Sequence, residues 1–211
     1  MEEKVKSEMM TVMLIDIVGY TKKTNQLSRD NFNKLHDTFD NIALPIFEQF
    51  EGEVVKKMGD AFLVTFKSAT NGIRCGIEIQ NAFLKYRNES GNNLRVRVAL
   101  HSGEVLHRHN DVYGDVVNTT ARIESATPAD QIFFSEAVFS AMNKNEIPFQ
   151  YLGMRRFKGL KYPVKIFRVK GRGGARRIVG GMGIGGLILT LVLLAILCGA
   201  VYFLYKILPM L

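Results

Sequence analysis

Two aspartates pose the chemical question. Asp16 closes the apolar run Thr11-Val12-Met13-Leu14-Ile15, and Asp60 follows Gly59 between residues 54–58 and 61–66. Those flanking runs are rich in β-branched and aromatic residues, which predicts a hairpin with the carboxylate at its tip. Alone, a Gly-Asp turn is ordinary, and its Asp would serve to hold the turn. The other carboxylate, 44 residues upstream, changes the weighing. If the two strands are neighbours, both carboxylates meet at one sheet edge, beside the turn Val18-Gly19-Tyr20. Paired hard oxygen donors of that kind are what two Mg²⁺ ions on a nucleoside triphosphate require. Asn118 and Arg122 lie four apart on a predicted helix and so share a face. An exposed Arg122 pairing with Glu124 or Asp115 is the plainer alternative there.

The elements that must position these residues follow from periodicity. Residues 1–8 are polar and expected to fray, and 9–15 read as the first strand. Ser28 opens a helix with Phe32, Leu35, Phe39, Ile42 and Ile46 at spacings of three and four, which Pro45 kinks or ends. The hairpin comes next, then a helix over 68–86 burying Ile73, Ile77, Phe83 and Leu84, and a polar turn at 88–93. A strand over 94–105 alternates clearly at its start, and 107–113 form a hairpin tip. A helix over 115–126 turns Val116, Val117 and Ile123 inward until Thr127-Pro128 stops it. A strand at 131–134, a short helix from Ser135-Glu136 and a hairpin of 149–157 with 164–169 complete the series. Helices interleaved with adjacent-strand hairpins predict an α/β sandwich of ferredoxin-like type over residues 9–170.

The rest of the 211 residues is of another kind. Residues 171–177 are a basic Gly/Arg-rich linker, and 178–205 are 28 consecutive residues without a charge. About 20 apolar residues suffice to cross a bilayer, so this stretch predicts a C-terminal transmembrane helix with a short tail, 206–211. Lys165, Arg168, Lys170, Arg172, Arg176 and Arg177 precede it and only Lys206 follows, which places residues 1–177 in the cytoplasm. The same cluster accounts for much of the net charge of +8 and favours anionic lipid head groups. No basic platform interleaved with aromatics accompanies it, so nucleic acid is not an expected partner. Cys75 and Cys198 read as packing residues in a reducing compartment. His107, His109 and Asp111 resemble a fragment of a transition-metal site, with solvated loop residues as the favoured reading.

Three blocks then acquire a joint meaning. Met13-Leu14-Ile15-Asp16-Ile17-Val18-Gly19-Tyr20-Thr21, Lys56-Lys57-Met58-Gly59-Asp60, and the run from Asp111-Val112-Tyr113-Gly114-Asp115 through Asn118 to Arg122 resemble the signature blocks of the class III nucleotide cyclase catalytic domain, in the family's order and spacing. The resemblance implies that Asp16, Asp60 and the backbone carbonyl of Ile17 hold two divalent ions, Mg²⁺ or Mn²⁺. The Val18-Gly19-Tyr20 turn would cradle phosphate. Asn118 would position the ribose and Arg122 would stabilise charge on the α-phosphate. Lys158 is the counterpart of a further phosphate-contacting lysine, although Lys161 could occupy that place. Base choice would rest on Lys56 and Asp111. A lysine only donates and an ionised aspartate only accepts, which complements adenine's acceptor at N1 and donor at its exocyclic amine. Guanylyl members usually carry Glu and Cys-like residues there. The expectation is therefore a membrane-anchored adenylate cyclase, working on ATP as a head-to-tail homodimer with shared active sites. Gly181 and Gly185 offer one small-residue match for pairing within the span. A catalytically silent cyclase-like module and a guanylate cyclase are the alternatives.

Overall fold

The computed structural model describes residues 6–20, 27–109 and 111–170. The chain divides into two units, Met1–Gly174 and Ala175–Leu211, and every described residue lies in the first. The chain opens with β1 (Lys6–Ile17), α1 (Arg29–Gln49), β2 (Glu53–Met58), β3 (Ala61–Phe66), α2 (Ala69–Ser90) and β4 (Val96–Arg108). These strands lie in the order β2-β3-β1-β4, the βαββαβ arrangement of a ferredoxin-like core. Then come β5 (Asp111–Tyr113), α3 (Asp115–Ser125), β6 (Ile132–Ser135), α4 (Glu136–Ala141), β7 (Phe149–Arg155) and β8 (Val164–Val169). They extend the sheet to β2-β3-β1-β4-β6-β8-β7, with β5 folded back on β4. Only the β4–β6 pairing is parallel among the described strands, so the sheet is mixed.

Local chemistry starts the helices where the sequence suggests. Ser28 caps α1 by accepting from the Asn31 amide at 3.4 Å, and Ser68 caps α2 from the Asn71 amide at 3.2 Å. Each strand then presents alternate residues to two different layers. Met13, Ile15, Val64, Phe66, Val98 and Leu100 meet α1 and α2, where Phe39 stacks on Phe62 with centroids 5.1 Å apart. Val12, Leu14, Leu63 and Val105 face the opposite way, against Val112 and Val116 at the start of the α3 layer. Each such fully buried aliphatic side chain contributes about 1.5–3 kcal/mol. This second face carries the candidate site.

Several expectations need correction. The first strand begins at Lys6, inside the segment expected to fray, because β4 runs on to Arg108 and offers backbone partners: Lys6 lies opposite His107 and Glu8 opposite Val105. Pairing of the main chain needs no apolar side chains. Pro45 neither ends α1 nor prevents its continuing to Gln49. On α2, Ile73 and Phe83 are buried as expected, but Ile77 and Leu84 are only half-buried. Gly72, Cys75, Gly76 and Ile79 complete the buried face instead, since the helix approaches the sheet most closely where its side chains are smallest. Among the described residues no helix is long and apolar enough to cross a membrane. The stretch 178–205, its flanks at 171–177 and 206–211, Cys198, Gly181 and Gly185 lie outside the described residues.

Candidate active site

Asp16, near the end of β1, stands opposite Ala61 of β3 on one side and Arg97 of β4 on the other. Asp60, one residue before Ala61, therefore occupies the adjoining corner. Backbone bonds stitch the two turns together: the Ile17 amide donates to the Asp60 carbonyl at 3.2 Å, and the Val18 amide to the Arg95 carbonyl at 2.9 Å. Gly59, at φ +60°, lets the chain reverse tightly enough to bring Asp60 there. The Asp16 charge reaches Asp60 across this corner. Burial pushes Asp16 above the ordinary carboxylate range against the pull of Arg97, and the Glu124 charge pushes the same way. Asp60 is raised by burial first and by the Asp16 charge second. Like charges in a partly dry corner resist ionising together.

Sequence reasoning passed over Arg97. Its Nε and Nη2 donate to Asp16 Oδ2 at 2.8 and 2.6 Å, and its other ion-pair partner is Glu124 of α3. In the alternating run from Leu94 to Val98, Arg95 and Arg97 both look like the solvated side of a strand. Only the register that sets Arg97 opposite Asp16 distinguishes them. His36 was missed likewise. It accepts or donates at Nε2 to the Tyr20 hydroxyl at 2.8 Å and packs against Phe32 with centroids 4.6 Å apart, tying the Val18-Gly19-Tyr20 turn to α1.

At the other end of this face, Lys56 Nζ donates to Asp111 Oδ2 at 2.6 Å. A β-bulge in β2 makes the meeting possible. Val54 pairs with Val64, but Lys56 pairs with Leu63, so the extra residue at Val55 turns Lys56 to the face that carries Asp16. Lys57 consequently faces α1, paired with Asp40 at 2.5 Å and lying over the Phe62 ring. The two lysines part as strand alternation requires, but which one reaches the site is decided by the bulge. The Lys56 hydrogen bond holds the Asp111 carboxyl below its usual range. His107 and His109 belong to no group of three or more His, Cys, Asp or Glu side chains near enough to hold a metal among the described residues.

Asn118 and Arg122 are both exposed on α3, whose buried side is Val116, Thr119, Thr120 and Ile123. Arg122 Nη2 lies 3.9 Å from where a side chain on Gly159 would begin, so the 157–163 loop carrying the exposed Lys158 comes up beside it. The structure thus gathers the sequence-predicted residues into three groups: Asp16, Ile17 and Asp60 with the 18–20 turn; Lys56 with Asp111; and Arg122 with the Lys158 loop. The first group is a set of hard oxygens, suited to Mg²⁺ or Mn²⁺ rather than to a thiophilic metal.

A family profile described as "Adenylate and Guanylate cyclase catalytic domain" matches residues 2–171. The chain belongs to this family. Among curated relatives, the serine/threonine-protein kinase pkn2 of Myxococcus xanthus is 32% identical over 166 residues, which cover 78% of this chain and 20% of that protein. The chain therefore spans a fifth of that relative's length. Among solved structures, the adenylyl cyclase CyaB from P. aeruginosa superposes with a TM-score of 0.74 at 23% identity, covering 79% of this chain and 96% of that one. The guanylyl cyclase Cya2 superposes with a TM-score of 0.71 at 26% identity, covering 82% and 97%. The cyclase fold is thereby established, with neighbours of both base preferences.

Proposed function

We propose that this cyclase domain converts ATP to 3′,5′-cyclic AMP and pyrophosphate at sites shared by two copies of the chain, and that residues 178–205 anchor it in a membrane with residues 1–177 on the cytoplasmic side. The observation that carries the base preference is the Lys56–Asp111 pair, a fixed donor beside a fixed acceptor on the face that holds Asp16. The ribose 3′-oxygen attacks the α-phosphorus, its proton leaves, and the bond to the pyrophosphate oxygen breaks. Divalent ions held by Asp16, Asp60 and the Ile17 carbonyl would supply a more acidic 3′-hydroxyl and charge neutralisation on the leaving group. Lys56 and Asp111 orient the base. Arg97, already satisfied by two carboxylates, is placed to give up Asp16 for a phosphate oxygen. Asn118 and Arg122, exposed on α3, complete the partner's site rather than their own, as do Lys56 and Asp111. There Asn118 positions the ribose and Arg122 meets charge on the α-phosphate.

The test uses the full chain in detergent with Mn²⁺ and either ATP or GTP, products being identified by mass spectrometry. Cyclic AMP formed from ATP, rising faster than linearly with protein concentration, supports both the chemistry and the shared site. Cyclic GMP as the main product would reverse the base assignment. Mixing Asp60→Ala with Arg122→Ala, each inactive alone, should restore about a quarter of wild-type turnover, because half of randomly mixed dimers hold one intact site of two. No recovery on mixing would remove the shared-site geometry.

A further inference from the structure

Residues 147–211 contain eleven of the 28 Lys and Arg and none of the 20 Asp and Glu, so residues 1–146 carry seventeen cations against twenty acids. The asymmetry is not confined to the linker before residue 178. Seven of those cations fall in residues 147–170, on the β7–β8 hairpin that forms one edge of the sheet. Lys165 is matched by Glu136 at 2.6 Å, and Arg168 donates to Gln150. Arg155, Arg156 and Lys161 have no carboxylate within ion-pair distance among the described residues, and the Arg155 guanidinium carbon lies 5.7 Å from the centroid of the Phe133 ring. Met154, 58% exposed, precedes Arg155, and Tyr162, 69% exposed, follows Lys161, which lies over its ring.

We propose that this edge is a docking surface for an anionic phospholipid bilayer, with Arg155, Arg156 and Lys161 on the head groups and Met154 and Tyr162 at the interface. Unneutralised cations around an exposed thioether and phenol are the composition of a surface that binds lipid charge and dips apolar atoms into the boundary. Soluble edge strands do carry lone cations to block pairing with other strands, but that task needs no exposed Met and Tyr among them. The chain runs on from β8 to Arg172, Arg176, Arg177 and the uncharged stretch, and the inference rests in part on the anchor reading. The same loop sets Gly159 beside Arg122, so docking links a catalytic loop to lipid charge.

The chain has no tryptophan, so Tyr162→Trp in the full protein supplies a single reporter. It is placed in nanodiscs of phosphatidylcholine alone or of phosphatidylcholine with phosphatidylserine. The expected result is a blue shift, and quenching by brominated lipid, only where phosphatidylserine is present, reversed by high salt. Adding Arg155→Gln and Arg156→Gln should lower the ratio of docked to undocked hairpin about fivefold for each cation removed. The same spectrum in both lipids, or a shift untouched by the two substitutions, overturns the proposal. So does an equal shift produced by a single-stranded oligonucleotide in phosphatidylcholine discs, which would make nucleic acid the partner. Flotation with pure phosphatidylcholine vesicles reads the anchor separately. Its failure beside a surviving phosphatidylserine-dependent shift would break the anchor reading alone.

Discussion

At the Asp16 end of the α3-covered face, three carboxylates converge and one guanidinium answers them. At the Asp111 end, one carboxylate meets one ammonium. Protonation behaviour follows: Asp16 and Asp60 are pushed above the ordinary range, and Asp111 is held below it. A group raised on folding favours the native state at low pH, and that benefit is gone once pH rises past its folded pKa. A group lowered on folding contributes above its unfolded value, and loses its contribution as pH falls through the folded one. The Asp16 end is thus a local cost at neutral pH. The Asp111 end is satisfied within the domain, so under the proposed assignment a base displaces an existing bond and is selected by how well it replaces that bond.

The largest expected effect comes from removing one charge at the crowded end. Asp60→Asn should cut turnover by roughly a thousandfold or more, since it deletes a carboxylate that the proposed chemistry requires. The same change should stabilise the metal-free protein at neutral pH by relieving repulsion with Asp16. That gain should shrink as the medium is acidified toward the ordinary aspartate range, where Asp60 is protonated anyway. Urea unfolding at two pH values measures both. A destabilised Asp60→Asn at neutral pH would mean that the corner is not under electrostatic tension.

How far these two ends could be read beforehand differs for physical reasons. The hairpin and Asp60 were legible because Gly-Asp between β-branched runs encodes a turn locally. The βαββαβ order followed from alternation and from helix caps at Ser28 and Ser68. The direction of Lys56 was not legible, because a bulge is a relation between two strands and leaves no mark in either one alone. Arg97 was hidden for a related reason. A charged residue in an alternating strand is ordinarily solvated, and only long-range register turned this one toward a buried carboxylate 81 residues away in sequence. The first residues of β1 read as a tail because Lys6, Ser7 and Glu8 are polar, and only their pairing with the end of β4 makes them strand.

Arg97→Gln probes the middle of the scale. It leaves Asp16 and Glu124 facing one another with side chains only 13% and 14% exposed and no cation between them. Stranding buried charge in this way should cost about 3 kcal/mol in the metal-free protein, by denaturant unfolding at neutral pH. Mn²⁺ at the neighbouring carboxylates should recover part of that loss in the variant and stabilise wild type less. Equal stabilisation of both proteins would show that Arg97 does not supply the positive charge that Asp16 and Glu124 share.

Lys56→Ala should have the smallest effect on stability, under about 1 kcal/mol, because its side chain is 40% exposed and the pair is open to water. Its effect on selection should be larger. Losing the proposed charged hydrogen bond to the base should lower kcat/KM for ATP roughly thirtyfold while leaving that for GTP little changed. Asp111→Asn should mirror Asp60→Asn in sign. It loses stability at neutral pH, and the difference from wild type fades only when acid takes wild-type Asp111 through its lowered folded pKa. The two ends would then titrate in opposite directions on one sheet face. If Asp111→Asn instead stabilised the protein at neutral pH, the Asp111 end would be as strained as the Asp16 end, and nucleotide binding would have to relieve tension at both.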